Sequence, residues 1–214
     1  MTNIFSTPDK GPRRDQLFLI GLQALEREGW RVERIPGIGK SSVRRIARAG
    51  KSRKISIRTS QNTWIAFPRN KADNGWVTLS DVDVVLAVSV DDAQSPKFAQ
   101  VHMIEADEMR LRFDRAYRAR VAAGYSIQLG RGVWVSLYEF DAPDPVTHVG
   151  AGAGLDHPPM VRVPLKPVES ETETAVEAKE RENNDKPLTI AEAKRRLGIT
   201  LGVAPSSIKI TIEA

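Results

Sequence analysis

Asp83-Val84-Val85-Leu86-Ala87-Val88-Ser89-Val90 is a nearly continuous apolar run, rich in β-branched residues, inside a chain of 214 residues. A run this short that does not alternate predicts a strand buried on both faces, at the centre of a sheet. Ala99–Ile104 reads as its neighbour. Upstream, Ile55 and Ile57 alternate with Ser56 and Arg58, the pattern of a half-buried strand. Thr63–Phe67 alternates similarly, and Gln61-Asn62 supplies a tight turn between the two. Val43 and Ile46 lie in a further strand ending at Gly50, and Trp30–Ile35 in another.

Two segments carry helical periodicity instead. Arg14–Glu28 places Phe18, Leu22 and Leu25 on one face and stops at Gly29. Asp107–Ala123 places Met109, Phe113, Ala116, Tyr117 and Val121 in one stripe and stops at Gly124, with Asp114 spaced to pair with Arg110 and Arg118. A last core strand is expected at Val133–Tyr138. The fold class is therefore α+β, a central mixed β-sheet flanked by two helices.

Composition divides the chain into four parts. Residues 1–12 read as a leader, and 13–168 as the core, whose proline-rich stretch Asp141–Pro167 reads as an irregular wrap or the start of a linker. Residues 169–186 are rich in Glu and lack aromatics, which marks an acidic linker. Residues 187–214 read as a short helix-strand element: Thr189 and Glu192 fit a capping box, and Ile208, Ile210 and Ile212 alternate. This element is too short to bury a core alone, so it is a candidate for docking on a protein partner.

Several function classes drop out on composition. There is no cysteine, so disulfides, thiolate metal sites and cysteine nucleophiles are excluded, and only three histidines occur. No run approaches the roughly 18 apolar residues of a membrane span. The polar stretch Met1–Lys10 lacks the apolar region of a secretory signal, so a cytoplasmic location is expected. Ser41, Ser42 and Ser136 lack a Gly-x-Ser-x-Gly context, which leaves a serine hydrolase unsupported.

The net charge of +5 is unevenly spread. Residues 1–60 hold 14 Lys and Arg against 5 Asp and Glu, and Arg31–Arg58 holds ten basic residues against one acid, Glu33. Such a segment attracts phosphate backbones, because each neutralised phosphate releases counterions. Solvated strand faces kept soluble by arginine are the competing explanation. The residues singled out for nucleic-acid contact are Lys40, Arg44, Arg45, Arg48, Arg53, Lys54, Arg58, Trp64 and Arg69. Trp64 with Arg58 and Arg69 is the aromatic-basic arrangement that suits single strands.

Ile35-Pro36-Gly37-Ile38-Gly39-Lys40-Ser41-Ser42 admits three readings. It resembles a Walker A loop at Gly39, Lys40 and Ser41, but Arg34 stands at the first glycine position. It resembles a helix-hairpin-helix motif, which would make Val43–Arg48 a helix. It also fits a Gly/Pro turn between two strands with Lys40 exposed, the reading preferred because the following stretch is β-rich.

The element order, together with Lys54–Ser60, Trp64–Phe67 and Asp83–Val88, resembles the PD-(D/E)XK nuclease-like fold, with the "VKT" strand pattern of Mrr-like members over about residues 14–138. That resemblance implies a restriction-endonuclease-like core and a metal site built on an Asp and a Glu-x-Lys or Gln-x-Lys. Here Ser56 falls at the acid or amide position and Arg58 at the lysine position, and no Asp or Glu occurs between Arg34 and Ala72. A hard divalent cation needs carboxylate oxygens, and arginine does not readily act as a base. The expected function is thus a non-catalytic nucleic-acid-associated protein, favouring DNA over RNA, with no catalytic residue, cofactor or metal assigned.

Three alternatives stand beside it. One is a metal-dependent nuclease with a displaced carboxylate site, drawn from Asp81, Asp83, Asp91, Asp92, Glu105, Asp107 and Glu108 near the ends of the central strands; helix capping and loop charges explain the same acids. The second is a protein-interaction module, and the third a P-loop-like nucleotide binder.

Overall fold

The computed structural model describes residues 10–35, 42–128, 130–166, Lys194 and 205–209. A first helix, α1 (Lys10–Arg27), precedes strands β1 (Arg31–Arg34), β2 (Val43–Arg48), β3 (Lys51–Ser60), β4 (Trp64–Pro68), β5 (Val84–Val90) and β6 (Phe98–Glu105). Helix α2 (Ala106–Ala122), β7 (Gly132–Ser136), the single-turn α3 (Ala153–Asp156) and β8 (Val161–Pro164) complete the order. Six strands form a mixed sheet in the order β1-β2-β3-β5-β6-β8; β3 and β5 run parallel, and every other pair is antiparallel. β4 and β7 make a separate two-stranded antiparallel ribbon.

β5 is buried along its whole length, as its apolar run requires. Alternate side chains serve two cores. Val84, Leu86 and Val88 face α1 and pack with Leu17, Leu25, Ile46, Ile55 and Ile57. Val85 and Ala87 face α2 and the ribbon, packing with Phe67, Met109, Phe113, Val133 and Val135. α1 comes close to the sheet at Gly21, where an added Cβ would meet Val88 Cγ2 at 2.8 Å. Gly29, at φ +79°, turns the chain out of α1 into β1, a backbone conformation that disfavours other residues.

Several sequence expectations need correction. Lys10–Pro12 belongs to α1 and not to the leader; proline is tolerated there because first-turn amides have no intrahelical acceptor. Gln61-Asn62 does not close a hairpin: β3 and β4 lie in different sheets, and the chain changes layer at that turn. Val121 is 49% exposed, whereas Arg120 is buried, donating to the carbonyls of Trp134 (2.7 Å), Thr147 (3.1 Å) and Ala116 (3.1 Å). Asp114 accepts from Trp76 Nε1 at 2.9 Å and sits 3.5 Å from Arg69, instead of pairing with Arg110 or Arg118. The proline-rich stretch Asp141–Pro167 is not merely a wrap or linker: it contains α3 and β8, and β8 extends the main sheet beyond β6.

The chain divides into two units, Met1–Val168 and Glu169–Ala214. In the second, Lys194 is helical and Pro205–Ser207 forms a 3-10 turn. The acidic linker at 169–186 and most of the helix-strand element lie outside the described residues. No described helix is long and apolar enough to cross a membrane.

Candidate nucleic-acid interface

Pleating distributes the basic residues of β2 and β3 over both sides of the sheet, because successive side chains point to opposite faces. Ile46, Ile55 and Ile57 mark the α1 side. Arg44, Arg48 and Arg53 share that side, and each is engaged. Arg44 is 8% exposed, lies 5.6 Å from the Phe18 ring centre, and donates from Nη1 to the Val43 carbonyl at 2.9 Å. Burial, and secondarily the charge of Arg34, lower its affinity for its proton. Arg48 stacks 4.5 Å over Trp30 and donates to the Glu28 carbonyl at 2.7 Å. Arg53 grips Glu105 through both terminal nitrogens and reaches the Asp83 carbonyl at 3.2 Å. The Glu105 hydrogen bond raises the Arg53 pKa.

The opposite side carries Arg45, Lys54 and Arg58. Arg45 and Lys54 are direct cross-strand partners, both exposed, and neither side chain has an acidic partner among the described residues. Next to them a groove of about 470 Å³ opens over the β1-β2-β3 meander, lined by Arg31, Glu33, Arg45, Arg48, Lys51 and Ser52 among others. Glu33 binds Arg31 at 3.0 Å. The lining thus carries four cations against one carboxylate; Arg48 is held by Trp30 and the Glu28 carbonyl and Arg31 by Glu33, which leaves Arg45 and Lys51 without a ring or carboxylate partner among the described residues. β1 exists as the groove's outer wall because Arg31–Arg34 pairs with Arg44–Ala47.

Arg58 behaves differently. Its guanidinium carbon lies 4.2 Å from the Phe67 ring centre, and its Nε is buried without a hydrogen-bond partner. Burial lowers its pKa to about 10. Two residues earlier on the same face, Ser56 Oγ is also buried and unpartnered.

Arg69 and Trp64 do not join this cluster. Arg69 is held between Trp76 (4.8 Å) and Tyr117 (4.4 Å), and its Nε meets Asp73 Oδ1 at 2.8 Å. Trp64 lies on β4 opposite Ser136, so the expected Trp64–Arg58–Arg69 grouping is not formed; the arginines stack on Phe67, Trp76 and Tyr117 instead. Lys40 and the rest of the Gly-rich segment 36–41 lie outside the described residues. That segment leads into strand β2, which corrects the helix-hairpin-helix and Walker A readings: both require a helix there.

Of the seven acids named above, Asp81 is exposed and the other six are occupied. Asp83 Oδ2 accepts from the Lys54 amide at 2.7 Å, and Glu105 is held by Arg53. Asp91 accepts from the amides of Lys97 (3.0 Å) and Phe98 (2.9 Å), and Asp92 from those of Gln94 (2.7 Å) and Ser95 (2.8 Å). Asp107 pairs with Arg110, and Glu108 with Arg112 and His157. Among the described residues no group of three or more His, Cys, Asp or Glu side chains is placed to hold a metal ion.

A buried polar chain on the α2 side has no counterpart among the sequence motifs. His102, fully buried on β6, meets the His157 carbonyl through Nδ1 at 2.7 Å and the Tyr138 hydroxyl through Nε2 at 2.9 Å. His157 Nε2 meets Glu108 at 2.6 Å. These partners are 36 to 55 residues apart in sequence, so spacing carries no signal of them.

Comparison with protein-family models, curated proteins and solved structures found no match for this chain.

Proposed function

We propose that this chain is a non-catalytic nucleic-acid-binding protein on a degenerate nuclease-like fold, with the β1-β2-β3 meander as its binding face and DNA as the favoured ligand. The observation that carries this reading is the groove with Arg31, Arg45, Arg48 and Lys51 against Glu33 alone. A concave, cationic, open surface attracts a phosphate backbone with no need for base readout. The antiparallel β1-β2-β3 meander, followed by the parallel β3–β5 pair at the sheet centre, supports the nuclease-like assignment. The crossover between β3 and β5 departs from it, because it runs through β4 and a 3-10 turn where a helix is expected.

The displaced-carboxylate alternative is weakened by the partners of Asp83 and Glu105, which tie both groups to β3. Arg53 beside them also opposes a divalent cation electrostatically. Binding without cleavage is the chemistry this surface supports.

The test compares the parent with Arg31→Ala/Arg45→Ala/Lys51→Ala, and with a control altered at Arg115 and Arg118 on the exposed side of α2. Fluorescence anisotropy on a labelled duplex should show loss of affinity in the first variant and little change in the second. Equal losses in both, or none in either, would remove the groove as the site. Incubating labelled DNA with Mg²⁺ or Mn²⁺ should leave it uncut; cleavage that Asp83→Ala abolishes would establish the nuclease instead.

A further inference from the structure

A buried guanidinium ordinarily has a carboxylate or several carbonyls around it, since removing a charge from water without compensation is costly. Of the other arginines withdrawn from solvent, Arg44 has the Val43 carbonyl and the face of Phe18, and the remaining three obey that rule. Arg69 has Asp73, Arg112 has Glu108, Asp156 and the Ala151 carbonyl, and Arg120 has three carbonyls. Arg58 has only the face of Phe67. No hydrogen bond or ion pair to its side chain is formed among the described residues, and burial alone accounts for its lowered pKa. A ring face offsets part of a cation's desolvation but accepts none of its five N–H donors.

The position of Arg58 gives the uncompensated charge a direction. Lys54, Ser56 and Arg58 lie on one face of β3, with Arg45 opposite Lys54. At the rise of a strand this row runs for about 13 Å. It starts at the cationic meander and ends at Arg58, which sits between Ser60 and Ser56 on the face opposite α1. Nε is closed off, and the side chain as a whole is half-buried.

We propose that Arg58 receives a terminal phosphoryl group, a phosphate monoester at the end of a nucleic-acid strand whose backbone lies along Arg45 and Lys54. The proposal rests on the nucleic-acid reading of the meander. A half-buried guanidinium favours a chain end over an internal phosphodiester, which carries a nucleoside on either side. A monoester also brings close to two negative charges at neutral pH and oxygens that match the guanidinium fork. Lysine in the same place would offer a point charge without that fork.

The experiment has two arms on the full-length protein. In the first, thermal unfolding is followed in sodium phosphate and in sodium chloride of matched ionic strength. The parent should melt at least about 2 °C higher in phosphate, and Arg58→Met should lose that difference while melting no lower than the parent in chloride. In the second, short oligonucleotides ending in a 5′-phosphate, a 3′-phosphate or a hydroxyl are compared by anisotropy. The parent should bind one phosphorylated end about tenfold more tightly than the hydroxyl end, Arg58→Lys should keep a smaller preference, and Arg58→Met none. Oligonucleotide binding with no end preference leaves the meander reading standing and overturns this one. A phosphate effect dependent on Arg58 with no oligonucleotide bound overturns both the strand-end assignment and the function above. Absence of any phosphate effect in the parent overturns the site itself.

Discussion

Acidifying the solution from about pH 7.5 to about pH 5.5 should weaken this fold through His102. The carbonyl of His157 can only accept, so the 2.7 Å contact fixes the proton of the neutral ring on Nδ1. Nε2 then accepts from the Tyr138 hydroxyl at 2.9 Å. A second proton would place a charge in a site with no solvent exposure, and burial holds the His102 pKa below its ordinary 6.5, with the neighbouring His157 acting in the same direction and its carbonyl opposing. The unfolded chain has no such restriction and takes up the proton as the pH falls through about 6.5. The stabilising contribution is therefore complete above that value and is lost as the pH falls below it. If the buried ring stays neutral throughout, this one group costs at most about 1.4 kcal/mol between the two pH values. For a unit of this size that is a fall in Tm of roughly 3–5 °C. Urea unfolding at both pH values measures the change, and ¹⁵N spectra of the imidazole report its tautomer and titration. Tyr138→Phe provides a second check: it leaves Nε2 without a donor and should cost about 1–3 kcal/mol at the higher pH. A His102 ring that titrates at its ordinary pKa, or a Tyr138→Phe variant as stable as the parent, would refute the reasoning.

Packing sets three further outcomes. Gly150→Ala places a Cβ 2.4 Å from the Arg112 carbonyl oxygen at φ +83°, so it should destabilise by about 3 kcal/mol or more in chemical denaturation. Phe113→Ala empties the junction where Phe113 meets Phe67 and Trp76 edge-on at 5.2 and 5.3 Å, and should cost about 3–5 kcal/mol by the same assay. A chain ending at Val168 should retain a single cooperative unfolding transition by circular dichroism, because the described residues of both cores all precede that point.

The fold is most legible in the sequence where burial alone dictates the pattern. The run Val84–Val90 reads as a central strand because both its faces are apolar, and α1 and the start of α2 emerge from their stripes. It is least legible where a polar side chain is buried by partners distant in sequence. Arg120 occupies a core position because three carbonyls receive it, so the apolar stripe of α2 does not continue to Val121 as periodicity suggests. The change of sheet after β3 depends on β7 supplying a partner for β4 from some seventy residues away, which a local turn signal does not encode. β8 is short and ends at Pro164, and its role depends on the free edge of β6. The basic cluster is visible as composition, but alternation and stacking divide it: Arg44, Arg48 and Arg53 pack toward α1, while Arg45, Lys54 and Arg58 face the other way.

The salt dependence of duplex binding tests the central claim most directly. With Arg45 and Lys51 as the groove cations that have no ring or carboxylate partner, about two displaced counterions are expected, giving a slope of log affinity against log salt near −1.8 and a loss of roughly 10-fold between 50 and 200 mM salt. Removing Arg45 and Lys51 together should flatten most of that slope. Binding that is undetectable at 50 mM salt, or a slope unchanged by the double substitution, would contradict the account.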